Sequence, residues 1–155
     1  MGDIGRFRIV VSFLSDLSEL KSKICHAFGG AGAALSPGQQ RLRDDFILTG
    51  GRFKDTVNLA PTERKKGERS LKASFSVQHG DLKALVVELQ IVTQLQEAWD
   101  KKDHFLIYEP RRQGRPPSAN HEREIFAMSE LLYVADLTFE RLRQAIRTRR
   151  PRRRP

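Results

Sequence analysis

The sequence predicts an α/β domain built on a mixed β-sheet with flanking helices, and three observations carry that expectation. FRIVVSF at 7–13, LKASFSV at 71–77 and ALVVELQIVT at 84–93 show the alternation or apolar density of strands. Helical repeats follow the first and the third. The resulting order of strand, helix, strands, helix, helix is that of a layered α/β domain rather than a bundle or a sandwich.

In the first strand Phe7, Ile9, Val11 and Phe13 share one face, with Arg8, Val10 and Ser12 on the other. Ser15 is placed to cap a helix whose apolar positions Leu17, Leu20, Ile24 and Phe28 recur at helical spacing, and Gly29-Gly30 ends it. Residues 29–40, rich in Gly, Ala, Ser and Pro, read as a loop, and DDFILTGG adds a short strand before the Gly50-Gly51 turn. Residues 52–67 are expected to form a polar, mobile connection. In the second long strand Leu71, Ala73, Phe75 and Val77 alternate with Lys72, Ser74 and Ser76, and His79-Gly80-Asp81 turns the chain into an antiparallel hairpin partner.

That partner strand sets Glu88 and Gln90 on one face among apolar neighbours. A carboxylate there is costly unless paired, hydrogen-bonded or metal-bound, so Glu88 marks either a structural ion pair or a site. The next helix directs Leu95, Ala98, Trp99 and Leu106 to a core and sets His104 and Tyr108, four apart, on a neighbouring face. After the break EPRRQGRPPS, a long helix starts near Asn120. Its apolar positions Ile125, Met128, Leu132, Ala135, Phe139, Leu142 and Ile146 step by threes and fours. This stripe is either cover for the sheet, the preferred reading, or a pairing surface.

A chain of 155 residues suits one domain, assigned to 1–146, followed by a tail at 147–155. The net charge is +9, but six arginines stand in that tail, so the rest of the chain is only mildly basic. The tail has no apolar residue and repels itself, and disorder is expected. Arg147, Arg149, Arg150, Arg152, Arg153 and Arg154 form either an electrostatic arm for RNA or the ribosome, or a solubilising extension. Cys25 stands alone, which excludes a disulfide framework and suits a reducing cytoplasm. No apolar run is long enough for a membrane span.

Several chemistries are excluded by the absence of their motifs: the two glycine-rich phosphate loops, the Gly-x-Ser-x-Gly elbow and His-Glu-x-x-His. A carboxylate site remains. Asp3, at the head of the first strand, and Glu88 would together suit Mg2+, which takes a few carboxylates plus substrate phosphates. Arg8, Arg69 and Lys72 would hold those phosphates.

The same residues carry a family resemblance. DIGRFRIVVSFLSDLSEL, GERSLKASFSV, ELQIVTQLQEAW followed by His104 and Tyr108, and LLYVADLTFERLR resemble, in order and spacing, blocks of the RelA/SpoT alarmone synthetase domain. The resemblance implies a nucleotidyltransferase-like mixed sheet and magnesium-dependent transfer of pyrophosphate from ATP to the 3′-hydroxyl of GDP or GTP, the (p)ppGpp synthesis of the stringent response. It implies that Asp3 and Glu88 hold the metal, that Glu88 helps deprotonate the hydroxyl, and that Gln90 and His104 support the acceptor pocket. Alternatives are a toxin-like transferase acting on tRNA and a non-catalytic relic that binds nucleotide, RNA or a partner.

Four positions depart from the pattern. Glu68 replaces an aromatic that stacks on guanine, Lys72 a histidine, Val92 an arginine and Arg6 a glycine. Loss of the aromatic weakens base binding by roughly 1 to 3 kcal/mol unless Arg69 stacks instead. In the family, helices ahead of the Asp-bearing strand build the ATP half of the pocket, and this chain begins two residues before Asp3. The expectation is therefore an N-terminally truncated member with an exposed apolar patch around Phe7, Ile9 and Val11, weak ATP binding and slow or no turnover.

Overall fold

The computed structural model describes residues 5–28, 36–64, 66–82 and 85–148, and the statements below concern these. Strands β1 (Gly5–Val11), β2 (Phe46–Leu48), β3 (Lys54–Asp55), β4 (Leu71–Val77) and β5 (Val86–Thr93) form one mixed sheet. Its order is β1-β5-β4-β2, with β3 also paired to β4. β1 runs parallel to β5, and the other pairings are antiparallel. The β4–β5 hairpin is the one the alternation predicts. The parallel β1–β5 pair sets Arg6 opposite Glu88 and Arg8 opposite Gln90, which in turn faces Lys72.

Helix α1 (Leu14–Phe28) starts one residue before Ser15. Asp16, in the first turn, reaches back so that its carboxylate accepts the Phe13 backbone N–H at 3.2 Å, while the Ser15 N–H goes to Glu140 at 3.0 Å. A helix α2 (Pro37–Asp45) occupies part of the stretch expected to be a loop. The expected mobile connection at 52–67 is also corrected, because Phe53 and Val57 are buried in the core with Leu17, Leu48, Leu71, Ala73, Phe75 and Ile91. The few apolar residues of this polar stretch follow neither a strand nor a helix period, so pattern reading passes over Phe53 and Val57.

The core lies between the apolar face of the sheet and α1, with Phe28 meeting Phe75 edge to face at 5.2 Å. Full burial of a side chain such as Ile91 is worth about 1.5–3 kcal/mol. Cover ends before β1: Phe7 is 65% exposed and Ile9 is exposed too, whereas Val11 packs against the core. An open apolar cavity of about 390 Å³ lies there, bounded by Phe7, Ile9, Ile24, Phe28, Phe46, Phe75, Val87 and Leu89.

Helix α3 (Gln94–Asp103) follows β5 directly. The Thr93 hydroxyl caps it by accepting the Gln96 N–H at 3.2 Å, and donates to Asp136 at 2.6 Å. A π-helical turn (His104–Tyr108) and α4 (Glu109–Arg112) continue it, and α5 (Ala119–Thr148) then runs from α3 to α1. The Trp99 indole donates to the Ile125 carbonyl at 2.6 Å near the start of α5, and Arg143 pairs with Asp16 at 2.6 Å near its end.

Two expectations about these helices fail. Trp99 is buried and Leu95 half-buried, but Ala98 and Leu106 are exposed, and Ile107 takes the buried place. The π turn adds one residue to the helical repeat, so the core-facing position moves from 106 to 107. On α5 the sheet-cover reading fails as well. Ser129 and Asp136 are buried, whereas Met128, Phe139, Leu142 and Ile146 are exposed. Close approach explains the buried serine. A Cβ on Gly67 would stand 2.5 Å from the Trp99 ring and 3.1 Å from Ser129 Cβ, and the Ser129 hydroxyl donates to the Gly67 carbonyl. No described helix is long and apolar enough to cross a membrane.

Candidate functional site

The face of the sheet opposite the core carries Arg6 and Arg8 from β1, Glu88 and Gln90 from β5, and Lys72 from β4, as strand parity requires. Arg8 donates from Nε and Nη2 to Gln90 Oε1 at 3.0 and 2.6 Å, and from Nη2 to Asp100 of α3 at 2.6 Å. Gln90 Nε2 donates to Glu68 at 2.7 Å. Glu68 also accepts from the Ser70 hydroxyl at 2.8 Å and from Lys72 at 3.0 Å. Fixing Gln90's oxygen on an arginine and its amide nitrogen on a carboxylate leaves its orientation no choice.

This network floors a cleft of about 340 Å³, whose other walls are Arg6, Lys66, Trp99, Asp103, His104 and Tyr108. The rings of His104 and Tyr108 lie 4.9 Å apart, and Tyr108 remains 47% exposed. Burial raises the Glu68 carboxyl, but the hydrogen bonds from Lys72, Ser70 and Gln90 outweigh it and hold the group below its ordinary value. Asp103 moves the other way, raised by burial and by the nearby Asp100. With four cations and three carboxylates lining it, the cleft is nearly balanced and slightly positive, which suits an anionic ligand.

Glu88 stands beside this cleft on the same face, and Arg6 Nε lies 2.8 Å from its Oε1. That oxygen is buried and makes no hydrogen bond, so the contact is electrostatic with poor donor alignment. Asp3, expected to share a metal with Glu88, lies outside the described residues. No group of three or more His, Cys, Asp or Glu side chains able to hold a metal occurs among the described residues. A single carboxylate that already carries a guanidinium does not by itself fit magnesium, which takes several oxygen ligands.

The structure thus brings Arg8, Lys72, Gln90 and His104 to one cleft, with Glu88 beside it. Arg69 is elsewhere. It is 3% exposed, donates to the Val57 carbonyl and to Glu130 at 2.8 Å, and lies over the Tyr133 ring at 3.9 Å. Burial and the neighbouring Arg64 bring its pKa down to about 10. Arg69 is therefore a packing residue and corrects the expectation that it binds or stacks on the acceptor. Arg147 sits in the last turn of α5, inside a helix rather than in a tail, and the other five tail arginines lie outside the described residues.

Glu68, Asp100, Lys66, Asp103 and Arg6 were not singled out as site residues from the sequence. The parity of Arg6 with Arg8 was a usable signal for that residue. The others depend on how the 66–70 segment and α3 fold over the sheet. The buried Asp136 was likewise missed, its carboxyl raised by burial and only partly relieved by Thr93.

No family model and no curated protein matches this sequence. Solved structures do. The chain superposes on the small alarmone synthetase 1 from Bacillus subtilis with a TM-score of 0.68 and 18% identity, covering 96% of this chain and 66% of that one. The same synthetase bound to its product pppGpp gives 0.68 and 19%, over 96% and 64% of the two chains. A GTP pyrophosphokinase family protein from Streptococcus pneumoniae gives 0.64 and 19%, over 94% and 62%. The fold is therefore that of the nucleotide pyrophosphokinases. More narrowly, it is the small alarmone synthetase fold, of which this chain spans just under two thirds of those neighbours' length.

Proposed function

We propose that the cleft binds a guanine nucleotide as acceptor and that the chain transfers pyrophosphate from ATP to a ribose 3′-hydroxyl. The observation that carries this reading is the Asp100–Arg8–Gln90–Glu68–Lys72 network. It joins residues from β1, β4, β5 and α3 on one face, beside Glu88 and beneath the His104–Tyr108 rings. The fold neighbours, one of them bound to pppGpp, support it.

In this reading the acceptor hydroxyl forms a bond to the β-phosphorus of ATP, the bond between the α- and β-phosphates breaks, and AMP leaves. Such transfer needs positioning and charge neutralisation more than covalent help. Arg8 and Lys72 already carry carboxylate or amide partners that fix their heads, and Arg6 and Lys66 add charge at the rim. Tyr108 supplies an exposed ring for the base, a role Glu68 cannot take. Glu88 accepts the hydroxyl proton once Arg6 has swung onto phosphate. Magnesium on Glu88 belongs to the same reading only with Arg6 displaced, and no step above depends on it.

The test offers ATP labelled in its γ-phosphate with GDP, GTP or uncharged tRNA to the purified 155-residue chain and to Glu88→Gln. Label on GDP or GTP, reduced at least about a thousandfold in Glu88→Gln, is the expected result. Label on tRNA alone would replace the acceptor, undiminished transfer by Glu88→Gln would remove Glu88 from the chemistry, and no product with any acceptor would sink the transfer.

A further inference from the structure

The cations of the cleft are not equally committed. Arg8 is held by Gln90 and Asp100, and Lys72 by Glu68. Lys66 forms no hydrogen bond or ion pair with any described residue, and among the described residues Arg6 has only its contact with Glu88. That contact is closest at Nε and poorly aligned, so it is readily given up to a ligand, and the Arg6 side chain is 56% exposed. A guanidinium so placed offers the cleft a fork of N–H donors that matches the oxygens of a phosphate.

Its position matters as much as its charge. Arg6 faces Glu88 across the parallel β1–β5 pair, Arg8 follows two residues along on the same face, and Ser74 faces Glu88 from β4. The register partners of Glu88 are thus a cation and a hydroxyl rather than a second carboxylate. A divalent ion on Glu88 would stand beside Arg6, like charge against like charge, with few of the oxygen ligands it needs. The β1 block resembles a pattern with glycine at position 6, so the guanidinium is this chain's own addition. It supplies, from a side chain, positive charge at the place where an ion would join Glu88 to a phosphate.

We propose that Arg6 replaces a divalent ion as the counter-charge of the cleft, and that the cleft takes the polyphosphate of its ligand free of metal. The proposal rests on the nucleotide reading only for the ligand's base and ribose, since inorganic tripolyphosphate can represent the phosphates alone. An uncomplexed polyphosphate is more negative than its magnesium complex, and Arg6 and Lys66 are the least committed cations that meet it. Calorimetric titration of the full chain with tripolyphosphate and with GDP, each in EDTA and in excess magnesium, tests this. Both ligands are expected to bind in EDTA, and more tightly than in magnesium. Arg6→Gln should bind at least about tenfold more weakly than wild type in EDTA and should gain affinity, not lose it, when magnesium is added. Arg6→Lys, which keeps the charge without the fork, should fall between the two in EDTA. A thermal melt of each variant separates lost binding from lost folding, and the wild-type comparison needs no variant. Arg6-dependent binding of tripolyphosphate without binding of GDP would uphold the role of Arg6 and remove the nucleotide reading instead. Wild-type binding that requires magnesium, no tripolyphosphate binding in EDTA, or an Arg6→Gln chain that matches wild type in EDTA would each overturn the proposal.

Discussion

The two faces of β1 and β5 make an instructive pair, because the same few residues build both. Arg6, Arg8, Glu88 and Gln90 point one way, and Phe7, Ile9, Leu89 and Ile91 the other. Each face opens onto a cavity, of about 340 and about 390 Å³. On the polar side nearly every group has an oriented partner, and the cleft keeps its shape through directional bonds. On the apolar side contact alone holds the surface, and it falls from Ile91, wholly buried, to Phe7, 65% exposed, within two strands. Strand parity decides which face a residue joins. The helix that lies over that face decides what its burial is worth.

The comparison breaks first, and hardest, at its buried end. Ile91→Ala should cost about 3 kcal/mol in denaturant unfolding, the mid-range for a large core truncation. A cost below about 1 kcal/mol would mean that the core collapses around the gap. On the polar face, Arg6→Gln removes the cation from Glu88. With manganese as the probe, followed by its spin resonance signal, binding should tighten about tenfold, as expected from lifting one like charge from a divalent ion. Unchanged binding would show that Arg6 does not compete there.

A smaller effect concerns Glu68. Its carboxyl lies below the ordinary value, so its hydrogen bonds stabilise the fold fully above pH 4.5, and that contribution is lost as pH falls through the depressed value. Solvent screens the Lys72 pair, so under about 1 kcal/mol is expected. Unfolding free energy measured from pH 6 to 3 should show this loss in the wild type and lack it in Glu68→Gln. The least effect belongs to Phe7→Ser, within about 0.5 kcal/mol of wild type, since the ring has little packing to lose. A larger cost would show that Phe7 is covered in solution.

Much of this arrangement was legible before any coordinates. Alternation alone puts Glu88 with Gln90 and opposes Leu71, Ala73 and Phe75 to Lys72 and Ser74, and the turn at Gly80 makes the hairpin. Arg8, Lys72, Gln90 and His104, which all lie in the family blocks, gather around one cleft. What escaped depended on tertiary detail. Arg69 precedes the regular part of β4, and its partner Glu130 is 61 residues away, so no local rule could tell a buried guanidinium from a binding one. The π turn leaves no mark in an α-helical repeat, which predicts Leu106 rather than Ile107 at the core. The α5 stripe is legible as a stripe but its neighbour is not, because amphipathicity shows that a helix has a contact face but not with what.

The parallel pairing of β1 with β5 also governs how the molecule assembles. Arg8 and Gln90, which bond across that pairing, are 82 residues apart in the chain, whereas β4 and β5 meet through a short turn. The hairpin can form early from local contacts. Docking β1 closes a long loop at an entropic cost that grows as (3/2)RT ln n, before the long-range contacts reward it. The charged floor of the cleft is consequently expected to be among the last parts to assemble. From contact order alone, a partly folded chain is expected to hold its β4–β5 hairpin before it has a binding site, so ligand binding should report on completed folding rather than on collapse.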